Sequence, residues 1–386
     1  MKTSISDKIR AEKLSVIVLA AAAVIFIVLL MWAQSGKEES IQGEEYVEYE
    51  RARVTSVLND TVQVDPASDN ASRGEQMLTV TVLSGQYKGE ELLAYNYVGP
   101  IYGVPLHEGD SAVILISTYA TGDHNATVYE YNRIPAIIAV LILFFIITII
   151  VGGRTGLKSL LGLIFTVICL FMILLPALFK GAPTIISTLL MCTYIALVSF
   201  TILGGVHRKT IVAFLGTFSG TLLATIFGLA SQSFARIDGL RVSNVEPLLQ
   251  LRQMGSPVGL RGLLVAGIII SALGAVMDVA MSISSALEEV HAADPTMDRR
   301  GLFNSGMNIG RDMVGTMTNT LILAFLGSGF VLIMYLFSLG LSFYQLFSSA
   351  YLSIEVISGI SSSIGMILAI PLTALISAEM LAGSDK

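Results

Sequence analysis

Eight apolar runs, each long enough to cross the ~30 Å hydrocarbon core of a bilayer, constrain this chain more than any other feature. They lie at about 15–33, 134–152, 159–179, 183–204, 210–232, 262–286, 313–338 and 352–381. With 54% hydrophobic and only 13% charged residues, the chain reads as a polytopic membrane protein rather than a soluble domain. The first run, "VIVLAAAAVIFIVLLMW", is long for a signal-peptide core and reads as a retained anchor. The two cysteines, Cys169 and Cys192, fall inside apolar runs and are expected to pack as small hydrophobes.

Between the first two runs the pattern changes. "YERARVTSVL", "QMLTVTVLSG", "GEELLAYNY", "SAVILIS" and "ATVYEYN" are short, rich in β-branched and aromatic residues, and separated by turn residues. Five such strands suit a small closed barrel of OB-like type, with "LHEGD" (Leu106 to Asp110) as the tight turn before the fourth. Lys37 to Arg133 carries 6 basic and 16 acidic residues, a net of -10 against -6 for the whole chain. That charge argues against nucleic acid as a ligand.

The expected fold class is therefore a mostly α-helical polytopic membrane protein of about eight transmembrane helices with a small all-β, OB-like extracytoplasmic domain after the first. The expected divisions are 1–35 for the cytoplasmic N-terminus and anchor, 36–133 for the barrel, and 134–386 for seven membrane helices. Outside the barrel, 12 Lys and Arg residues fall on one side and 5 on the other, which sets both termini in the cytoplasm. The loop 233–261 runs against this rule with four arginines; its "EPLLQLRQ" reads as an amphipathic helix lying in the outer interface.

The sixth run holds the candidate site. Ser271, Gly274, Asp278, Ser282, Ser285 and Glu289 recur every three or four residues and so form one helical stripe. Small and polar residues in a membrane helix ordinarily face another helix. Asp278 stands about eight residues, or ~12 Å, from the helix end, and an ionised carboxylate at that depth is costly unless paired, hydrated or protonated. It reads as a coupling group for a proton or cation, as a structural hydrogen-bonding group, or as the sign of a shifted helix boundary. The next run supplies a second stripe, Asn304, Asn308, Asp312, Thr316 and Asn319, with Thr318 beside it. Arg311 either neutralises Asp278 or anchors the helix end at the cytoplasmic face. The last run adds Glu355 near its outer end, the Ser361 to Ser363 cluster, and Pro371 as a kink.

"GLLVAGIIISALGAVMDVAMSISSALEE", "GRDMVGTMTNTLILAFLGSG" and "GMILAIPLTALISA" resemble the YibE/F-like family of bacterial multipass membrane proteins over nearly the whole chain. The resemblance implies a bacterial inner-membrane protein and carries little biochemistry. A looser likeness is to SecD/SecF and the resistance-nodulation-division permeases, where the matching aspartate, here Asp278, belongs to a proton pathway. The expected function is a membrane transport protein, an ion- or proton-coupled secondary transporter or permease of unknown solute with a buried carboxylate, Asp278, in the sixth helix. Asp278 would couple, Asp312, Asn319 and Thr318 would solvate the ion, and Ser271, Gly274, Ser282, Ser285, Asn308, Arg311 and Thr316 would form the supporting faces. The alternative is a scaffold or receptor whose outer barrel binds a protein partner. The four histidines (His107, His124, His207, His291) lie outside the apolar runs and no second aspartate is deep, so no enzyme is expected. No metal, cofactor or nucleotide motif is present in the sequence. Partners are the lipid bilayer and a small solute or ion; self-association is left open.

Overall fold

Alternating apolar and polar residues between positions 46 and 131 close into a small β-barrel. Its strands are β1 (Tyr46–Asp60), β2 (Gln63–Asp65), β3 (Ala71–Val82), β4 (Glu91–Val98), β5 (Ser111–Thr118) and β6 (His124–Tyr131). The order is β1-β5-β6-β4-β3-β2, and β1 also pairs with β3, which closes the ring. All pairs are antiparallel except β4 with β6, joined at Ala94 and Ala126. Period-two alternation decides what faces inward: on β5, Ala112, Ile114 and Ile116 are buried, beside Val54, Leu78 and Val80 from β1 and β3. The Leu106 to Asp110 turn forms as expected. Gly109, at φ 92°, donates its N–H to the Val54 carbonyl at 2.9 Å, and the His107 N–H donates to Asp110 Oδ2 at 2.8 Å. Two polar side chains, Gln76 and Asn96, sit inside the barrel wall and bond to each other and to this loop.

The computed structural model describes residues 5–35, 46–118, 124–242 and 245–382. They fall into two compact units, 37–147 and the combination of 1–36 with 148–386. The helices are α1 (Ile5–Gln34), α2 (Ile134–Ile168), α3 (Leu175–Phe179), α4 (Thr184–Gly204), α5 (Arg208–Ala235), α6 (Glu246–Gln253), α7 (Leu263–Ala293), α8 (Arg299–Ser328), α9 (Phe330–Ser338), α10 (Phe343–Ser348) and α11 (Ala350–Ala382). Among the described residues, six helical stretches are long and apolar enough to cross a membrane, or seven if the bent pair α8–α9 is one span.

The sequence expects eight. The difference lies in 134–179, where α2 and α3 run on as one apolar stretch of 46 residues. That stretch is not uniform. Gly153 takes φ 55°, ψ -134°, outside helical space, so the backbone breaks there. Further on, a π-turn over Cys169–Leu174 precedes Pro176, whose missing N–H and ring clash widen the helix before it. A second departure lies in the run expected at 313–338. Its helix begins at Arg299, and Gly327-Ser328-Gly329 bends it by 58° between α8 and α9.

α7 is the central helix of the membrane unit. One set of its aliphatic residues (Ile268, Ala272, Val276, Val279, Ile283, Leu287) packs with α5, α8 and α11. A second set (Val265, Ile269, Leu273, Ala280) packs toward α1, α4 and the π-turn segment, where Cys169 and Cys192 are also buried. α1 is fastened to this unit by Tyr194, whose hydroxyl donates to the Ala22 carbonyl at 2.6 Å, and by Ser15, whose Oγ accepts the Val206 N–H at 2.8 Å. At the α7–α8 turn, hydrogen bonds from the hydroxyl and then the amide of Thr296 hold the Asp294 carboxyl below the usual carboxylate range. Asp298 caps α8 by accepting the Gly301 N–H at 2.8 Å.

Candidate functional site

The stripe on α7 exists as a helical face, but only part of it meets another helix. Ser271 is half-buried; its hydroxyl donates to the Ile268 carbonyl at 3.0 Å and shares a hydrogen bond with Ser362 of α11 at 2.8 Å. Ser285 is half-buried against Met281, with Oγ 3.7 Å from the sulfur. Gly274, Asp278, Ser282 and Glu289 are exposed on the outer surface of the unit. This corrects the expectation of a buried carboxylate. Asp278 lies open, and among the described residues it has no hydrogen bond and no ion pair.

The reason is packing. Two apolar clusters take up the aliphatic faces of α7 on either side. The stripe of small and polar residues is what those clusters leave over.

The α8 stripe behaves the same way. Asn304, Asn308, Asp312, Thr316 and Asn319 are exposed, while Leu302, Gly306 and Gly310 are buried against the bundle. Arg311 does not neutralise Asp278: it is exposed and its Nη1 donates to Asn308 Oδ1 at 3.2 Å. Thr316 donates to the Met313 carbonyl of its own helix at 3.1 Å. Thr318 is half-buried, and its Oγ1 is enclosed without a hydrogen-bond partner. No hydrogen bond or ion pair joins Asp278 to Asp312, Thr318 or Asn319. The helix register nevertheless places these residues at related depths. A Cβ at Gly306 would stand 2.9 Å from Leu287 of α7, and one at Gly310 would stand 3.5 Å from Ile283. Since α7 and α8 run antiparallel, stepping outward along both puts Asp278 level with Gly315, Gly274 with Asn319 and Ser282 with Arg311, to within about one turn (~5.4 Å).

The polar interior of the membrane unit lies elsewhere, between α5 and α11. Thr217, Thr221 and Thr225 of α5 are buried, as are Ser361, Ser362, Ser363 and Thr373 of α11. Thr221 and Thr225 donate back to the carbonyls of Thr217 and Thr221 at 2.9 and 2.8 Å. The hydroxyls of Thr217 and Thr373 have no partner. Gly220 and Gly365 bring the two backbones together: a Cβ at Gly365 would stand 2.5 Å from Ala224 Cβ and 2.9 Å from the Gly220 carbonyl oxygen. The sequence signal was available, in "GTFSGTLLAT", as glycine and threonine repeating at helical spacing. Threonine that bonds its own helix behaves as an apolar packing residue, so charge alone did not point to α5.

Among the described residues, no group of three or more His, Cys, Asp or Glu side chains could hold a metal ion. At the cytoplasmic ends expected for α5, α7, α8 and α11, Lys209 pairs with Glu288 at 3.5 Å and Arg299 pairs with Glu379. The site therefore offers one unpartnered mid-helix carboxylate, flanked by small residues and followed on α8 by amides and hydroxyls. Such a face can exchange a proton or hold a cation, and it carries no nucleophile–base pair.

No curated protein and no solved structure matches the chain. The model of the YibE/F-like protein family matches residues 140–383, which include α4 to α11 whole and nearly all of α2, and leave α1 and the barrel outside the match. That range exceeds half of the sequence, and on it the chain belongs to the YibE/F-like family.

Proposed function

We propose that this chain is an ion- or proton-coupled membrane transport protein in which Asp278 is the coupling carboxylate. Asp312, Thr318 and Asn319 would help to solvate what it binds. The observation that carries the reading is the placement of Asp278: mid-span, on α7, without a hydrogen bond or ion pair. Ionisable residues inside a membrane cost about 2.5–3.5 kcal/mol on insertion scales and mark ion or proton pathways. The histidine positions support transport over hydrolysis, since His207 immediately precedes α5 and His291 sits in the last turn of α7.

The same reading gives eight spans. A straight helix of 46 residues would reach ~69 Å, more than twice the hydrocarbon thickness, so the stretch 134–179 crosses twice, on either side of Gly153. An even count keeps both termini in the cytoplasm and the barrel outside. The barrel's strand order, with its one parallel pair between β4 and β6, supports an OB-like description. In sealed right-side-out vesicles, Glu108→Cys is expected to react with a membrane-impermeant maleimide and Arg300→Cys is not. Labelling of Arg300→Cys before permeabilisation would reverse the orientation.

The test of coupling is flux. Reconstituted wild type is expected to carry protons or a cation down an imposed gradient, and Asp278→Asn to lose at least tenfold of that rate at unchanged protein yield. Equal rates, or silence of the wild type across common ions, would overturn the coupling role.

A second reading makes the barrel a recognition module on a membrane support. It is favoured by the turn Gly99–Tyr102, where Ile101 is 93% exposed beside Tyr97 and Tyr102 at 49% and 57%.

A further inference from the structure

An α-helix inside a membrane unit normally turns its polar residues inward and its aliphatic residues to lipid. α7, and α8 as far as Asn319, turn polar residues outward instead. Asp278 and Ser282 on α7, and Asp312, Thr316 and Asn319 on α8, are exposed, while most aliphatic residues of α7 (Ile270 apart) are buried or partly buried. Three glycines share this outward face, and a Cβ added at Gly267, Gly274 or Gly315 would meet nothing within 4 Å. Bare glycines in a membrane helix allow close approach of another backbone. Among the described residues, nothing approaches them that closely.

We propose that a second copy of this chain covers the face, α7 of each copy lying against α8 of the other about a two-fold axis along the membrane normal. Such an axis preserves depth, so each residue of α7 meets the α8 level already set by the register within one chain. The levels are complementary in size: Gly274 meets the partner's Asn319, and Asp278 meets the partner's Gly315. They are complementary in charge as well. Among the described residues, Arg311 has no acidic partner, and Asp278 and Asp312 have no basic one. The partner's Arg311 stands level with Ser282, about 6 Å (one turn) to the cytoplasmic side of Asp278, within the reach of an arginine side chain. An isologous contact makes each pairing twice. The assembly thus places the carboxylate of the proposed function between two protomers, and the site in a single chain is incomplete. The inference rests on that reading for what the paired faces do, not for the pairing itself.

Cross-linking in native membranes tests it. Two differently tagged copies are co-expressed in a background with Cys169 and Cys192 replaced by alanine, one copy with Gly274→Cys and the other with Asn319→Cys. An oxidant is expected to join them into a mixed-tag dimer. The control pair, Gly274→Cys with Ile226→Cys on the exposed side of α5, is expected to give at least tenfold less product. Equal yields from both pairs would mean random collision and would overturn the proposal. So would absence of the mixed dimer from protein that purifies as a monodisperse monomer, or labelling of Gly274→Cys by a water-soluble maleimide with no dimer formed, which marks a water-filled vestibule in one chain. Gly315→Cys paired with Asp278→Cys repeats the experiment at the next level, should one variant fold poorly. Cross-linking reads contact and not flux. A mixed dimer with a silent transporter defeats the coupling role alone, and flux without a dimer defeats this inference alone.

Discussion

Gly220→Val is expected to prevent assembly of the membrane unit, and Gly220→Ala to weaken it measurably. Position 220 lies where α5 crosses both α11 and α7. A Cβ there would stand 2.6 Å from Val276 Cγ1, 2.7 Å from Ala369 Cβ and 3.2 Å from the Gly365 carbonyl oxygen. Two of those three atoms are fixed to the backbone of α11 and cannot swing aside. The first added methyl therefore separates helices, at a cost of about 1–3 kcal/mol for an overpacked core. Valine adds two more carbons in the same space and loses α5–α11 contact along a crossing that also buries Thr217, Thr221 and Thr373. Gly152→Ala is the control, because a Cβ at 152 meets nothing within 4 Å. The measurement is the melting temperature and monodisperse yield in detergent: a fall of several degrees for Gly220→Ala, loss of the folded peak for Gly220→Val, and no fall for Gly152→Ala. A wild-type melting temperature for Gly220→Val would mean that α5 and α11 do not pack backbone to backbone.

The same glycine shows where sequence reading stops. Strand alternation was legible between 46 and 131 because one face of each strand is buried, and all five expected strands form. The apolar runs were legible because lipid demands length and apolarity whatever the neighbours are. What periodicity could not decide is which helical face turns inward. The stripe through Asp278 follows from helical spacing alone, and its direction depends on how many partners α7 has. With α4, α5, α8 and α11 all against it, the aliphatic residues are used up inside. The bend at Gly327-Ser328-Gly329 and the break at Gly153 were readable only as flexible residues. Gly153 marks the boundary between two expected runs, whereas the bend falls within one. Gln76 and Asn96 keep the inward phase of their strands, with Leu78 and Val80 on β3 and Ala94 and Val98 on β4, but a polar side chain at such a position does not read as core until the loop it bonds to is in place.

Those two amides carry the largest effect expected in the barrel. Gln76 Oε1 accepts from Asn96 Nδ2 and from the Leu106 N–H, both at 2.8 Å, and its Nε2 donates to Asp60 Oδ2 at 2.9 Å and to the Leu106 carbonyl at 3.1 Å. Asn96 Nδ2 also donates to the Val104 carbonyl at 3.0 Å. One buried side chain therefore satisfies both backbone groups of Leu106 and ties the loop to β1, β3 and β4. Gln76→Leu is expected to cost about 3–5 kcal/mol, because each buried group left without a partner costs ~1–3 kcal/mol. The penalty is local in origin: the N–H and carbonyl of the buried Leu106 lose their partner. Amide exchange should show it first, with protection at Leu106 falling a hundredfold or more while the β5 amides change less, and limited proteolysis of the full chain should cut between 99 and 110. Asn96→Leu added to Gln76→Leu should recover part of the loss, since an apolar pair leaves fewer unsatisfied groups than a broken polar one, though the backbone of Leu106 stays unpaired. Unchanged protection at Leu106 in Gln76→Leu would show that the loop is held by apolar packing alone. The loop in question carries Ile101 and Tyr102, so the outcome also bears on the receptor reading. If the barrel tip recognises a partner, the Gln76–Asn96 pair sets the position of that tip, and Gln76→Leu should weaken capture of the partner at temperatures where the strands remain paired.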